Sequence, residues 1–324
     1  DGDLDVAFSS ASGDLAWVAN TDGVISTNVT IAVPAFAGRV PLFMMRDLDA
    51  DGVVDVTMHV PLAANGSLNW ARGLADTPGT FAPPVPIIDF PNTNSIAFID
   101  HDSDAMPDVV VSSTQAGASV FPHALGRGRF DAASVMPNTA YIAAFSVEIG
   151  ITAPRTMPGL VTASYNGSAH LVTTYSADED AGLSRHVVAL EDAIPRVVIP
   201  ADVDGDSHAE LVAVLDGSPS RVRLYRSALG GSTAATIATF SEPGGFGLAV
   251  ADVNADGSLD IAVTLTAGGI GILLNDGAGS FTDAPSASPP DFANWRWLLF
   301  APLSSSYPDL VAASATGDRV VWFG

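Results

Sequence analysis

The chain is constrained most strongly by an internal repeat, whose clearest part is a short acidic loop. Four complete copies of this loop occur, at residues 47–55, 100–108, 202–210 and 252–260. Each copy carries Asp or Asn at alternate positions, ends in Asp or Glu, and leads directly into an apolar run such as VTMHV or IAVTL. A fixed period of this kind is typical of repeat architectures, in which neighbouring units bury the faces that one unit cannot bury alone.

The last acidic residue of each loop serves as a marker for counting the units. The markers are Asp5, Asp55, Asp108, Glu210, Asp260 and Asp309. The interval between Asp108 and Glu210 is about twice the others, and the segment MPGLVTASYNG at 157–167 fills it as a degenerate unit with Gly159 at the marker. The sequence therefore contains seven units of about 51 residues each.

Each unit contains four short runs typical of β-strands, and no helical period interrupts them. The pattern predicts an all-β fold, a seven-bladed β-propeller of four-stranded antiparallel blades that forms a single domain over residues 1–324. A linear β-solenoid is the structural alternative, although its repeats are usually shorter. The sequence begins inside an acidic loop, so we expect the first blade to lack its inner strand and the last blade its outer strand. We also expect flanking sequence or neighbouring subunits to complete the ring, as in a segment of a longer surface or filament protein.

The charge of the chain indicates what the acidic residues do. There are 36 acidic and 13 basic residues, which gives a formal net charge of -23, and 31 of the acidic residues are Asp. Such a bias towards the short carboxylate favours tight turns and metal loops. Nucleic-acid binding requires a basic surface, so the charge excludes that class of partner. The absence of Cys excludes disulfides and thiolate metal sites, and no apolar run approaches the roughly 20 residues that a membrane span needs.

The spacing of the acidic loop fits calcium. Side-chain oxygens stand at positions 1, 3, 5 and 9 and a backbone carbonyl at position 7, and calcium takes about six to eight oxygen ligands. One copy of such a loop is also compatible with a solvated turn, but four copies in phase with a structural period favour a metal. The EF-hand, which begins in the same way, requires Glu at position 12 and flanking helices. Here position 12 is Met58, Val111, Ala213 and Val263, so the EF-hand interpretation fails.

The acidic loops followed by DVTMHV or DIAVTL, and the later NDGAGSF, resemble the FG-GAP or VCBS-type repeat. That repeat is known from integrin α-subunit propellers and from bacterial and algal surface proteins. The resemblance covers the whole chain and implies calcium (Ca2+) at about four sites, in the loop between the first two strands of a blade. The implied ligands, with position 7 acting through its carbonyl, are Asp47, Asp49, Asp51, Val53 and Asp55; Asp100, Asp102, Asp104, Met106 and Asp108; Asp202, Asp204, Asp206, His208 and Glu210; and Asp252, Asn254, Asp256, Ser258 and Asp260.

Several units depart from the full pattern. Position 6 is Gly in the first and last of the four loops but Ala105 and Ser207 in the others, which would strain the backbone if a positive φ is needed there. The unit at 151–159 has no carboxylate and the unit at 301–309 has one, so we predict that both are metal-free.

No catalytic motif is present, so we expect a protein that is not an enzyme. The resemblance implies an extracellular or cell-surface, calcium-binding module for cell adhesion, recognition or assembly, with a protein or a glycan as partner. The alternatives are a carbohydrate-binding lectin and a propeller-type polysaccharide lyase or related enzyme. Two groups of residues could contact a glycan: Trp17, Trp70 and Trp322, whose alternative role is packing between blades, and Arg221, Arg223 and Arg226, whose alternative role is a solvated edge. Glycosylation triplets begin at Asn28, Asn65 and Asn166.

Overall fold

The structure is a computed structural model of the chain. It describes residues 5–9, 13–22, 24–33, 42–60, 66–89, 93–99, 107–113, 120–121, 134–135, 145–149, 159–165, 168–178, 182–217, 219–226, 233–241, 244–265, 269–287, 295–301, 303, 308–314 and 320–323. Regular structure within these residues is entirely β, and none of them belongs to a helix that could cross a membrane. The prediction of an all-β fold is confirmed.

The described strands form seven antiparallel sheets, numbered here in chain order. Sheets 1 to 3 contain β1 (Val6–Ser9), β2 (Leu15–Thr21) and β3 (Val24–Val33); β4 (Leu42–Arg46), β5 (Asp55–Val60), β6 (Ser67–Ala71) and β7 (Val85–Asp89); and β8 (Thr93–Ile99), β9 (Asp108–Ser113), β10 (Val120–Phe121) and β11 (Ser134–Val135). Sheets 4 and 5 contain β12 (Phe145–Ile149), β13 (Gly159–Tyr165), β14 (His170–Asp178) and β15 (Gly182–Glu191); and β16 (Ile194–Ala201), β17 (Glu210–Asp216), β18 (Ser220–Arg226) and β19 (Thr233–Phe240). Sheets 6 and 7 contain β20 (Gly244–Ala251), β21 (Asp260–Leu265), β22 (Gly269–Asn275) and β23 (Phe281–Ala287); and β24 (Trp295–Ala301), β25 (Asp309–Ser314) and β26 (Val320–Phe323).

The marker residues of the sequence repeat begin the equivalent strand in every sheet. Asp5 directly precedes β1, and the other six markers are the first residues of β5, β9, β13, β17, β21 and β25. We call these six strands, together with β1, the marker strands. In sheets 2 to 7 the marker strand follows a first strand, whereas among the described residues sheet 1 has no first strand and sheet 7 has no fourth. This matches the strand order that the phase of the repeat predicts.

The hydrophobic core lies between consecutive sheets. Val212 and Leu224 of sheet 5 form one buried cluster with Leu248 and Ile261 of sheet 6. Similar clusters join sheets 1 and 2, 2 and 3, 4 and 5, and 6 and 7, while β12 contacts β8 between sheets 3 and 4. All six residues of β5 are buried because its sheet is covered on both faces, which explains the nearly continuous apolar runs after the markers.

Sheets 1 and 7 also touch, although they lie at opposite ends of the sequence. Val6 and Ile25 of sheet 1 pack against the buried Leu303 and Val311 of sheet 7. The side-chain Nδ2 of the buried Asn20 donates a hydrogen bond to the carbonyl of Leu303, at 3.0 Å. The first and last sheets are therefore in direct contact.

The same hydrogen bond occurs between sheets 5 and 6. Asn275, at the end of β22, donates through Nδ2 to the carbonyl of Val203 in the acidic loop of sheet 5, at 2.7 Å. Asn20 and Asn275 occupy corresponding positions, because the backbone N–H of each donates to the marker of its own sheet. Sheet 1 thus contacts sheet 7 in the way that sheet 6 contacts sheet 5.

Candidate metal centres

Each acidic loop connects the first strand of its sheet to the marker strand. Four loops have the same length, since strand register pairs Arg46 with Asp55, Ile99 with Asp108, Ala201 with Glu210 and Ala251 with Asp260. We call them acidic loops 1 to 4 in chain order. Loops 1, 3 and 4 are described completely. In loop 2 the predicted ligands Asp100, Asp102, Asp104 and Met106 lie outside the described residues, and Asp108 begins β9.

In loops 1, 3 and 4 the first and fifth residues accept hydrogen bonds from the backbone of the loop itself. In loop 1 the two carboxylate oxygens of Asp47 accept from the N–H groups of Asp51, at 3.2 Å, and Gly52, at 2.8 Å. Asp51 Oδ1 accepts from the N–H of Val53 at 2.8 Å. The corresponding acceptors in loops 3 and 4 are Asp202, Asp206, Asp252 and Asp256. The short Asp side chain suits this role because it reaches backbone only a few residues away.

The marker carboxylate closes the loop from the inside. Asp55 is fully buried, and it accepts one hydrogen bond from Leu48 N–H, at 3.0 Å, and one from Gly73 N–H, at 2.8 Å. Backbone N–H groups also donate to the markers Asp5, Glu210, Asp260 and Asp309. Asp309 accepts its bond although residues 301–308 contain no carboxylate, so this bond does not depend on the other predicted ligands.

Two positions in each described loop adopt a left-handed backbone. At position 6 the φ angles are 83° for Gly52, 69° for Ser207 and 90° for Gly257. At position 4, which the sequence did not single out, they are 54° for Ala50, 74° for Gly205 and 61° for Ala255. The positive φ expected at position 6 is confirmed for Ser207, while Ala105 lies outside the described residues. Each of these loops pairs one Gly with one residue that bears a Cβ, and the latter is the strained one.

Carboxylate oxygens converge in loops 1 and 3. One oxygen from each of Asp47, Asp49 and Asp55 lies within 4.8 Å of the other two, and the same holds for Asp202, Asp204 and Asp206. Two ligands bound to one calcium ion at about 2.3–2.6 Å lie at most about 5 Å apart, so each group fits a single ion. The third residue of each loop also has a buried oxygen, Oδ1 of Asp49 and Oδ1 of Asp204, that accepts no hydrogen bond within the protein.

Two arginines that the sequence analysis did not assign to these loops supply positive charge to them. Arg72, directly after β6, donates through Nε to Asp49 at 2.8 Å and through a terminal nitrogen to Asp51. Arg226, at the end of β18, lies 3.5 Å from Asp204. Strand register places both arginines opposite the marker of their sheet, and this shared position was the signal that the sequence offered.

Loop 4 lacks both the Asp at position 3 and the arginine. Asn254 replaces the Asp. Its Nδ2 donates to Asp256 Oδ2 at 2.7 Å, and its Oδ1 accepts from the backbone N–H of Asp256 at 3.0 Å. Leu274 stands where the arginine stands in the other sheets. Four carboxylates with one arginine in loops 1 and 3, and three carboxylates without one in loop 4, give the same net charge of -3 at each described loop.

Burial and crowding oppose ionisation of the marker carboxyl groups. Burial raises the pKa of Asp55 and of Asp260. It also raises the pKa of Glu210, and the other three carboxylates of that loop add to the effect. At the loop surface the direction reverses, because a hydrogen bond from the backbone N–H two residues ahead lowers the pKa of Asp51 and of Asp256. A bound cation would favour the ionised form of every one of these groups.

The two units predicted to be metal-free also differ in loop length. Ile149 pairs with Gly159, and Ala301 pairs with Asp309. The loop before Gly159 is therefore one residue longer than the acidic loops, and the loop before Asp309 is one residue shorter. The ligand spacing is lost together with the carboxylates, and the absence of metal at both remains a prediction.

The residues considered for glycan binding take part in packing and ion pairs. Trp70 is buried in the core between sheets 2 and 3, and Trp17 Nε1 donates to the carbonyl of Gly79 at 3.0 Å. The side chain of Trp322 lies outside the described residues. The arginines of β18 pair with carboxylates of this chain, Arg221 with Asp192, Arg223 with Glu191 and Arg226 with Asp204.

Two further residues named from the sequence are exposed. His208 has an exposed side chain, and its backbone N–H donates to Asp206 Oδ1 at 2.8 Å. Asn28 is exposed on β3, whereas the glycosylation triplets at Asn65 and Asn166 begin outside the described residues.

Comparison with solved structures identifies proteins of similar fold. A protein from Lactobacillus plantarum aligns with a TM-score of 0.65 and 12% identity, over 98% of this chain and 90% of that one. A putative 6-phosphogluconolactonase from Bacteroides fragilis NCTC 9343 aligns with a TM-score of 0.65 and 13% identity, over 99% and 90%. The Dos1 propeller aligns with a TM-score of 0.56 and 11% identity, over 99% of this chain and 74% of that one. Similarities at this level of identity show the fold and carry no activity with them.

Comparison of sequences matches acidic loops 3 and 4 to a known repeat. No curated protein matches the chain. Residues 202–263 match the FG-GAP-like repeat, and this segment runs from the start of loop 3 through loop 4 into β21. The resemblance predicted from the loops is confirmed over these residues. Residues 202–263 therefore form an FG-GAP-like repeat segment, within an all-β chain whose fold resembles that of a solved β-propeller.

Proposed function

We propose that this protein is a closed seven-bladed β-propeller that binds calcium in its acidic loops and serves as a non-catalytic extracellular module for adhesion, recognition or assembly. The observation that carries the calcium proposal is the buried oxygen at position 3, found on both Asp49 and Asp204, which accepts no hydrogen bond from the protein. Asp49 and Asp204 each belong to a group of three converging carboxylates.

A divalent cation accounts for the burial of these oxygens. An ionised carboxylate oxygen that is buried without a partner costs free energy, and neighbouring carboxylates repel one another. The groups in loops 1 and 3 consist of carboxylates, which suit a hard cation such as calcium better than a soft transition metal. The carbonyls of Val53, His208 and Ser258, together with water, would complete a set of six to eight oxygens.

Calcium would brace the loops and leave recognition to other surfaces. Each loop is fixed at one end by the first strand and at the other by a buried marker, so an ion held there would stabilise the junction between two strands. Loop 4 would use the amide oxygen of Asn254 in place of a carboxylate. Loop 2 would be the fourth site, on the strength of its sequence.

The closed ring is supported by the contact between sheets 1 and 7. Both the apolar packing around Leu303 and the bond from Asn20 connect them, and that bond repeats one found at an internal contact. A ring in which every sheet has two neighbours covers both faces of every sheet, which a linear stack cannot do at its ends.

The non-catalytic role and the extracellular location rest on the FG-GAP resemblance, and the partner would be a protein or a glycan at a cell surface. The lectin alternative loses one of its three aromatic candidates, because Trp70 is buried in the core. The similarity to a putative 6-phosphogluconolactonase extends to the fold alone.

Thermal unfolding with and without calcium tests the proposal. We expect calcium to raise the Tm of chelator-treated protein, because a ligand bound by the native state alone adds about 2.7 kcal/mol at a hundredfold excess over its Kd. The double variant Asp49→Ala with Asp204→Ala removes the position-3 ligand of both loops and should lose the part of this increase that loops 1 and 3 contribute. The matched control is Asp283→Ala, at an exposed carboxylate on β23, which should keep the increase in full. A Tm of the unmodified chain that does not respond to calcium would refute the calcium part of the proposal.

A further inference from the structure

One buried side chain, that of Asn275, connects acidic loop 3 to acidic loop 4. Asn275 is the last residue of β22 and is 3% exposed. Its Nδ2 donates to the carbonyl of Val203 in loop 3, at 2.7 Å, and to the carbonyl of Leu259 in loop 4, at 3.0 Å. Its backbone N–H also donates to the loop 4 marker Asp260, at 2.8 Å. The same residue therefore holds the backbone of two candidate calcium loops that belong to different sheets.

The two carbonyls that Asn275 holds lie next to predicted ligands. Val203 stands between the position-1 and position-3 ligands of loop 3, and Leu259 stands between the position-7 and position-9 ligands of loop 4. Because peptide units are planar and rigid, a shift of either carbonyl moves the residues on both sides of it. The position of Asn275 is therefore linked to ligand geometry in both loops.

The turn between β22 and β23, residues 276–280, forms a second connection. The Oδ1 of Asn275 accepts from two backbone N–H groups of this turn, at 3.2 and 3.1 Å. Arg226, which lies beside the loop 3 ligand Asp204, donates to the carbonyl of Gly279 at 2.9 Å. On the other side, a Cβ built on Gly277 would lie 3.0 Å from Oγ of the position-7 serine of loop 4. The turn is thus in contact with both loops.

We propose that Asn275 couples calcium binding at loops 3 and 4, so that calcium in one loop raises the affinity of the other. The coupling rests on the calcium function proposed above for both loops. An ion bound in loop 4 holds Leu259 in place, and the bonds of Asn275 pass this constraint to Val203 in loop 3. Loop 3 then loses less conformational freedom when its own ion binds, which gives positive cooperativity. The effect is reciprocal, since each ion must change the affinity of the other by the same factor.

A second effect acts in the opposite direction. Calcium in one loop neutralises negative charge that attracts calcium to the other. Salt screens this effect, with a Debye length of about 8 Å at an ionic strength of about 0.15 M, whereas the hydrogen bonds of Asn275 do not depend on salt. Positive coupling that persists in salt and requires Asn275 is therefore the signature of the contact.

Loop 1 offers a comparison without this residue. Gly73 occupies the position of Asn275 in sheet 2, because its backbone N–H likewise donates to the marker, and it has no side chain to reach another loop. Loops 1 and 3 belong to sheets 2 and 5, which are separated along the chain by sheets 3 and 4. We expect these two loops to bind calcium independently.

Calcium titration of variants that keep two loops, or one, measures the coupling. In the background Asp51→Ala with Asp104→Ala, isothermal titration calorimetry gives the product of the two stepwise binding constants for loops 3 and 4. Adding Asp206→Ala or Asp256→Ala leaves one loop and gives its binding constant alone. The coupling factor is the first product divided by the product of the two single-loop constants. We expect a factor of about five or more, as in ordinary allosteric coupling.

Three controls define what the factor means. Asn275→Ala should reduce it to about one, and so should Asn275→Gly, which places at this position the residue that sheet 2 has at Gly73. The matched pair, loops 1 and 3 in the background Asp104→Ala with Asp256→Ala, should give a factor of about one with Asn275 in place. Circular dichroism checks that every variant keeps the fold.

Hydrogen exchange separates coupling from damage to a neighbouring loop. In the variant that keeps loop 4 alone, calcium should slow exchange of the loop 3 amides of Gly205 and Ser207, which donate to Asp202. Adding Asn275→Ala should abolish this slowing. Exchange in loop 3 that does not respond to calcium would contradict the coupling.

The remaining outcomes distinguish this coupling from the calcium sites themselves. A factor of one or less for loops 3 and 4 would overturn the coupling and leave both sites standing. A factor that neither Asn275→Ala nor Asn275→Gly reduces would show that Asn275 does not carry it. Single-loop variants that bind no calcium at all would instead contradict the proposed function, and the coupling would fail with it.

Discussion

At the residue scale, the marker carboxylate has two possible roles, as an acceptor of hydrogen bonds from backbone N–H groups and as a metal ligand. Asp55 takes two such bonds in a loop that can hold a metal, and Asp309 takes one in a loop that lacks the other ligands. A carboxylate occupies the marker position in all but one of the units, including the unit at 301–309 that lacks the other ligands. Its presence in a unit is therefore no sign of calcium, whereas the carboxylates at positions 1, 3 and 5 are.

Replacing Asp309 by Ala separates the two roles. The N–H of Leu303 would lose its hydrogen bond to the buried Asp309 carboxylate, so we expect the free energy of unfolding to fall by about 1–3 kcal/mol. Denaturant titration should give the same loss with calcium and with chelator, since no ion is expected in that unit. The structural role would be contradicted if Asp309→Ala left the free energy of unfolding unchanged, or if calcium restored the stability that the variant loses.

Gly73 is the residue at which a small addition should do most harm. A Cβ there would lie 2.4 Å from the carbonyl oxygen of Val54 and 2.7 Å from the side chain of Val53, so Gly73→Ala must displace the backbone of loop 1. We expect this variant to unfold at a clearly lower denaturant midpoint than Gly52→Ala. The latter has a φ of 83° but open space around the new Cβ, and should cost about 1 kcal/mol. Equal midpoints would show that loop 1 has room that the structure does not contain.

At the scale of single elements, an acidic loop is a balance between its own carboxylates and the cation placed opposite its marker. Arg72 holds Asp49 and Asp51, and Arg226 lies beside Asp204, while loop 4 does without an arginine because Asn254 replaces an Asp. A resident arginine stabilises the empty loop and opposes an incoming cation. The three described loops therefore reach the same net charge by different means.

Removing the arginine should strengthen calcium binding at its own loop. A divalent ion and a unit charge about 4–8 Å apart in water interact by about 1–2 kcal/mol, so we expect Arg72→Met to lower the Kd of loop 1 by about fivefold to thirtyfold. Isothermal titration calorimetry is done in the Asp104→Ala, Asp206→Ala, Asp256→Ala background, which removes the position-5 carboxylate of loops 2, 3 and 4 and so reports on loop 1. Arg196→Met, which removes an arginine paired with Asp216 away from the acidic loops, serves as the control and should leave the Kd unchanged. Weaker binding by the Arg72→Met variant would mean that the arginine organises the ligands.

The pattern of residues within one unit predicts the strands and the ligand spacing. It does not predict which residues face each other on neighbouring strands. The period, the marker strands and the positive φ at Ser207 follow from residue types at fixed offsets within one unit. The roles of Arg72 and Asn20 depend on which residues register places opposite each other, and a single sequence does not show that. The shorter loop before Asp309 was hidden for the same reason, because its length is measured by the pairing of Ala301 with Asp309.

At the scale of the whole molecule, the contact between sheets 1 and 7 decides whether the repeat is a ring. Asn20 and Asn275 are both buried and make corresponding bonds, one at the closure and one within the series. If the ring is closed, Asn20→Ala should lower the free energy of unfolding by about 1–3 kcal/mol, as a lost buried hydrogen bond does. Asn275→Ala should cost at least as much, because Asn275 also donates to Leu259 and accepts from Gly277 and Gly279. Denaturant unfolding in which Asn275→Ala is costly and Asn20→Ala is silent would show that sheets 1 and 7 separate in solution.

The most direct measurement of calcium in these loops is an anomalous difference map from crystals grown in calcium, recorded at a wavelength where calcium scatters anomalously. We expect a peak within bonding distance of Asp49, of Asp204 and of Asp256, and none beside Asp309. Maps without a peak in loops 1 and 3 at saturating calcium would contradict this expectation, since the buried position-3 oxygens of those loops would then need another explanation.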